Sequence, residues 1–196
     1  MGNSVDRPKL GLSTDPVVRL TLSLADYSVR RLAPVVLDRI AAEIETSRYP
    51  VRPGSSSVDW QSPAGIVASF RRAGRELAAM APLTPDTARQ AYKVLDNVRT
   101  GADWIQWPGG GKRDDLHHLV IDAMMPAAHA GAASQHAQED PQEWQERYGE
   151  PLAVSLAQLL GQAVKEVRNT CRAVEDAGVH ADDLAAFLGR PDAGQV

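Results

Sequence analysis

Residues 108–122, PGGGKRDDLHHLVID, hold the best-placed chemical groups in this chain. Three glycines precede Lys112 and Arg113, and a helix is expected to start near Asp114. Backbone N–H groups and a helix N-terminus favour negative charge, so this point could hold an anion. It is not a nucleotide P-loop: Gln106 stands where the first glycine of that motif belongs, and Arg113 where its Ser or Thr belongs. The same glycines also read as a flexible connector. Beyond them, Asp114, His118 and Asp122 recur every four residues and share one helix face. A carboxylate one turn from an imidazole orients it for acid–base work. Arg113 at the helix mouth would hold a phosphate near that imidazole. The plainer alternative is an exposed polar helix face.

Arg113-Asp114-Asp115-Leu116-His117-His118 resembles the motif of the HEPN superfamily of helical ribonucleases and nucleotidyltransferase partners. That motif is an Arg, then Asn, Asp or His, then three residues and a His, near a helix start. The resemblance spans six residues. It implies Arg113 and His118 as a metal-independent pair acting on an RNA phosphate, Asp114 as the polar residue after the arginine, and two copies meeting across a dimer interface.

Other chemistries find less. His117, His118, His129 and His136 match no familiar metal spacing, and no Glu-x-x-His pair occurs. His129 and His136 are expected to face solvent. One cysteine, Cys171, cannot build a thiolate zinc site or an internal disulfide. It falls on an apolar stripe and reads as core. There is no Gly-x-Ser-x-Gly elbow of a serine hydrolase. No cofactor or metal is expected. Arg71, Arg72 and Arg75 form a second basic group that could grip phosphate, DNA or a partner's acids, but a solvated helix face is the simpler reading.

The elements that must position these groups read as helices. In 151–176, Leu152, Leu156, Leu160, Ala163, Val167, Cys171 and Val174 fall three or four apart, with Pro151 at the helix start and Gly178 as a left-handed stop. A further helix is expected over 26–47, where Pro34 either kinks it or marks its true start near Ala33. Others follow over 63–80 after Ser62-Pro63, from Thr84-Pro85-Asp86 onward, and from Asp114 to a kink or end at Pro126. Short helices are read after Asp140-Pro141 and over Ala181–Leu188. Residues 18–24, VRLTLSL, alternate strictly. They suit a lone strand that would pair outside the chain, or a helix opened by Asp15-Pro16. Residues 1–16 read as an arm, 48–63 as a long loop pinned by Trp60, 130–141 as a linker and 190–196 as a tail.

The expectation is a single all-α domain over 17–189, six or seven helices packed around 151–176, with a single N-terminal strand at 18–24 as the open question. The chain has 196 residues, and 43% hydrophobic residues suffice for a core. A net charge of −4 argues against wholesale nucleic-acid coating. No membrane span or secretory leader is visible, which points to the cytoplasm by elimination. The first functional expectation is a non-enzymatic protein acting by self-association or by binding a protein partner. A HEPN-like ribonuclease acting on RNA, or its degenerate relative, is the alternative, and DNA binding through Arg71, Arg72 and Arg75 comes third.

Overall fold

Helix starts follow from short caps. Asp15 accepts hydrogen bonds from the N–H groups of Val17 (2.7 Å) and Val18 (3.3 Å), with Pro16 in the first helical position. Ser62 and Asp140 do the same before Pro63 and Pro141. Such a cap satisfies donors that the first turn leaves open. A computed structural model describes residues 15–46, 62–102 and 115–178 of the chain. Its helices are α1 (Pro16–Tyr27), α2 (Ala33–Glu45), α3 (Pro63–Ala79), α4 (Pro85–Ala102), α5 (Asp115–His136), α6 (Pro141–Tyr148) and α7 (Leu152–Ala173). A 3₁₀ turn, Glu175–Ala177, ends at Gly178 in the left-handed region with φ 81°. The fold is all-α, and no strand occurs among the described residues.

Segment 18–24 lies within α1, so of the two readings the helix opened by Asp15-Pro16 holds and the strand is excluded. The alternation is real, but two of its three polar positions, Thr21 and Ser23, are disarmed. Thr21 donates its hydroxyl to the Val17 carbonyl (2.8 Å), and Ser23 donates to that of Arg19 (3.0 Å). Hydroxyls bonded back to their own helix can be buried at little cost. Every residue from Thr21 to Val29 is buried.

Pro34 does not break the chain into two helices. A π-helical turn, Ser28–Leu32, joins α1 to α2, and the Ala33 N–H reaches back five residues to the Ser28 carbonyl. One extra residue in the turn takes up the mismatch that a proline creates. The Ser28 hydroxyl also donates to the Ala123 carbonyl at 2.9 Å, tying this irregular turn to α5 just ahead of Pro126. Asp26, buried one turn earlier, accepts from the Leu83 N–H (2.9 Å) and pairs with Arg30 (3.2 Å). It thereby anchors the connection between α3 and α4.

α5 is the inner element. It packs against α1, α2, α4 and α7, and no residue from His118 to Ser134 is exposed. A proline inside a helix costs about 3 kcal/mol. Burial of Leu119, Val120 and Met124 offsets that, at about 1.5–3 kcal/mol each. α5 therefore runs on through Pro126 to His136, and the linker read over 130–141 is corrected to a four-residue connection, 137–140. Ala130, Ala133 and Ser134, read as linker from their small size, are buried where helices pack closely.

The long helix expected over 151–176 is α7. Its stripe of Leu152, Leu156, Ala163, Val167 and Cys171 is buried against α5 and α1. Arg39 of α2 donates to the Ala173 carbonyl (2.6 Å) and meets Asp176 (3.2 Å), so a cation closes the C-terminal end of α7. The arm up to residue 14, most of the loop 48–63 with Trp60, the closing helix expected over Ala181–Leu188 and the tail lie outside the described residues.

Candidate functional site

α5 and α7 lie side by side and run antiparallel, with Asp122 opposite Asn169 and His129 opposite Glu166. Positions 118, 122 and 129 are separated by four and seven residues, so they fall on one face of α5. That face is turned to α7. His129 Nε2 stands 3.1 Å from Glu166 Oε1, with side chains 10% and 17% exposed. The other oxygen, Glu166 Oε2, is buried without a hydrogen-bond partner among the described residues. Burial, followed by the charge of Glu166, raises the Asp122 carboxyl above its ordinary value. His118, a hydrogen bond with Asn169 and the charge of Lys165 pull it the other way. The result is a compact polar seam between two helices, with carboxyl groups from both sides and an imidazole at each end.

Sequence reasoning placed His118 and Asp122 on one face, and they do share it. His118 is half-buried. Arg113, Asp114 and Lys112 lie outside the described residues. His129 corrects an expectation: it is 8% exposed instead of facing solvent. His136 is half-buried and stacks on Trp144, with ring centroids 4.5 Å apart. The signal that could have found His129 is its spacing of seven from Asp122, two full turns along the same face. Among the described residues, no group of three or more His, Cys, Asp or Glu is placed to hold a metal ion.

Of the arginines on α3, Arg71 is held by acids of α2. It makes a two-pronged pair with Glu45 (2.6 and 2.7 Å) and reaches Asp38 at 3.4 Å. The hydrogen bond with Glu45 raises its guanidinium further above the ordinary arginine value. A guanidinium so engaged is already neutralised. Arg72 and Arg75 are exposed. Arg71 and Arg75 border a groove of about 470 Å³ whose other walls include Ile44, Glu45 and Val67.

The outer face of α7 is a different kind of surface. Ala153, Val154, Ala157, Gln158, Gly161 and Gln162 are all exposed. No residue from Leu152 to Val164 carries a charge. A surface helix ordinarily sets charged and polar residues opposite its buried stripe. Here charge appears only in the second half of the exposed side, at Lys165, Arg168 and Arg172, and all three are cations. Val154 is 43% exposed, one of the few large apolar side chains left open.

Comparison with protein-family models, with curated proteins and with solved structures gives no match. No helix among the described residues is long and apolar enough to cross a membrane.

Proposed function

We propose that this chain is a non-enzymatic helical protein that acts by self-association or by binding a protein partner, and that the outer face of α7 is the surface it uses. One observation carries the reading: three turns of exposed, uncharged helix, Ala153 to Gln162, lie opposite a stripe that is already buried. Exposed apolar surface without charge is what association covers. The polar seam supports the same reading, because its best-formed pair, His129 with Glu166, is spent on holding α5 to α7.

Light scattering tests it. The wild-type chain is expected to weigh more than its 21.1 kDa monomer, or to capture a protein that an Ala157→Arg variant does not. Equal mass and equal binding for the two proteins would remove α7 from the account.

A second reading, ribonuclease chemistry of the HEPN kind, draws support from His118. Its charge acts on Asp122 and it is only half-buried, so the imidazole has an acid nearby and a way out to substrate. Cleavage of single-stranded RNA that disappears in both Arg113→Ala and His118→Ala would favour this reading. Activity unchanged in either variant would end it.

A further inference from the structure

No contact with the described residues requires Gly161 to be glycine. It lies in the middle of α7, where glycine costs roughly 0.5–1 kcal/mol relative to alanine. A Cβ built there meets nothing within 4 Å. Gly74, by comparison, sits on another helix that approaches closely, with the Pro34 backbone 3.5 Å from its virtual Cβ. Exposed glycine and alanine one turn apart let a second helix come near, at the short end of the 8–10 Å range of axial separations.

Charge decides which second helix and in which direction. The exposed end of α7 is basic, at Lys165, Arg168 and Arg172. Its other end carries an acid. The Glu150 carboxylate lies along the first turns of α7, accepting from Ser155 Oγ (2.6 Å) and Gln158 Nε2 (3.5 Å). Two parallel copies would set the three cations against themselves. Two antiparallel copies bring the basic end of each over the acidic start of the other, and they oppose the helix dipoles as well. Crossing Ala157 with Gly161 fixes the register. Lys165 is then about 6 Å further along the axis, level with Ala153 of the other copy and within reach of Glu150 there.

We infer that α7 pairs with α7 of a second copy, antiparallel about a two-fold axis between Ala157 and Gly161, with Lys165 and Arg168 of each copy beside Glu150 of the other. The pairing is isologous and closes as a dimer. It rests on the association reading above and supplies its partner and geometry.

Charge exchange tests it on the full chain. Two variants are made, one carrying Lys165→Glu with Arg168→Glu, the other Glu150→Lys. Each alone sets like charges together at both ends, and its dimerisation is expected to weaken at least tenfold. An equimolar mixture restores both contacts, and the dimer mass is expected to return. Circular dichroism of each variant confirms the helical fold. Variants that pair as tightly as the wild type, or a mixture that stays monomeric, would overturn the antiparallel pairing. If Gly161→Arg still dissociates the wild-type dimer in that case, the α7 face survives as the association surface. A dimer indifferent to Gly161→Arg sinks the pairing and the face together. A wild-type chain that stays monomeric at every concentration overturns self-pairing and leaves the face to a different protein.

Discussion

α5 and α7 are both 22 residues long and lie against each other, yet they place polarity on opposite sides. α5 exposes no residue from His118 to Ser134 and still carries His118, Asp122 and His129 inward, toward α7. α7 buries an apolar stripe and leaves three turns of bare alanine, valine, glycine and glutamine outside. Inside, His129 meets Glu166 across the seam, although the second oxygen of Glu166 has no partner among the described residues. Among the described residues, nothing packs over the uncharged groups outside. Neighbouring helices of the same chain cover α5, whereas no described residue covers the outer side of α7.

The sharpest way to break the comparison is one substitution made on both helices. Ala127→Arg puts a cation where the native side chain has no exposure, beneath α5's neighbours. A buried, unpaired charge costs several kcal/mol. Total stabilities run at about 5–15 kcal/mol. This variant is therefore expected to lose most of its cooperative thermal unfolding by circular dichroism. Ala157→Arg on the open face is expected to shift stability by no more than about 0.5 kcal/mol while reducing association. Equal melting of the two variants would erase the distinction.

The seam itself gives a middle-sized effect. His129→Ala leaves the Glu166 carboxylate without its imidazole in a largely buried place. Loss of a buried partner costs about 1–3 kcal/mol. For a chain of this size that lowers the melting temperature by about 2–10 °C. An unchanged melting curve would mean that water replaces the imidazole freely, so that the seam does not bind α5 to α7.

Asp122 offers the smallest effect, and its sign is distinctive. Its carboxyl is raised in the fold, so the folded state holds the proton more tightly than the unfolded one. Stability then falls as pH climbs from the ordinary value of 3.8 through the raised one, and the penalty persists above it. Asp122→Asn removes the charge and keeps an amide for Asn169. It is expected to raise the melting temperature slightly at pH 7, with the gain shrinking toward pH 4. A gain that instead grew on acidification would contradict the assigned direction.

Much of the helical layout is legible in local residues. Asp15-Pro16, Ser62-Pro63 and Asp140-Pro141 each place a cap and a proline at a helix start. The stripes of α2, α3 and α7 repeat every three or four residues. The question left open falls on α1 and the misreading on α5, two elements that pack against several others. In α1 the alternation mimics a strand because Thr21 and Ser23 are buried like their neighbours. In α5, Pro126 and a run of small residues mimic a helix end and a linker. A helix apolar on all sides has lost the one-sided stripe that marks a surface helix. The even apolar and small-residue content of Leu119 to Ala133 was the available signal for that burial. For the candidate site, the shared face of His118 and Asp122 was legible from spacing, whereas its partners on α7 were not.

The sequence by itself determined that α2, α3 and α7 are helical and where most helices begin, because caps, prolines and periodicity act within a few residues of one another. It also determined that α7 has an uncharged outer half, since no titratable residue occurs from Leu152 to Val164. Only the tertiary structure decided that α5 is the inner helix, that His129 is buried against Glu166, and that Arg71 belongs to Glu45. Those outcomes depend on neighbours distant along the chain. Whether a polar side chain is solvated, paired or desolvated is set by what packs over it, and no local pattern encodes that.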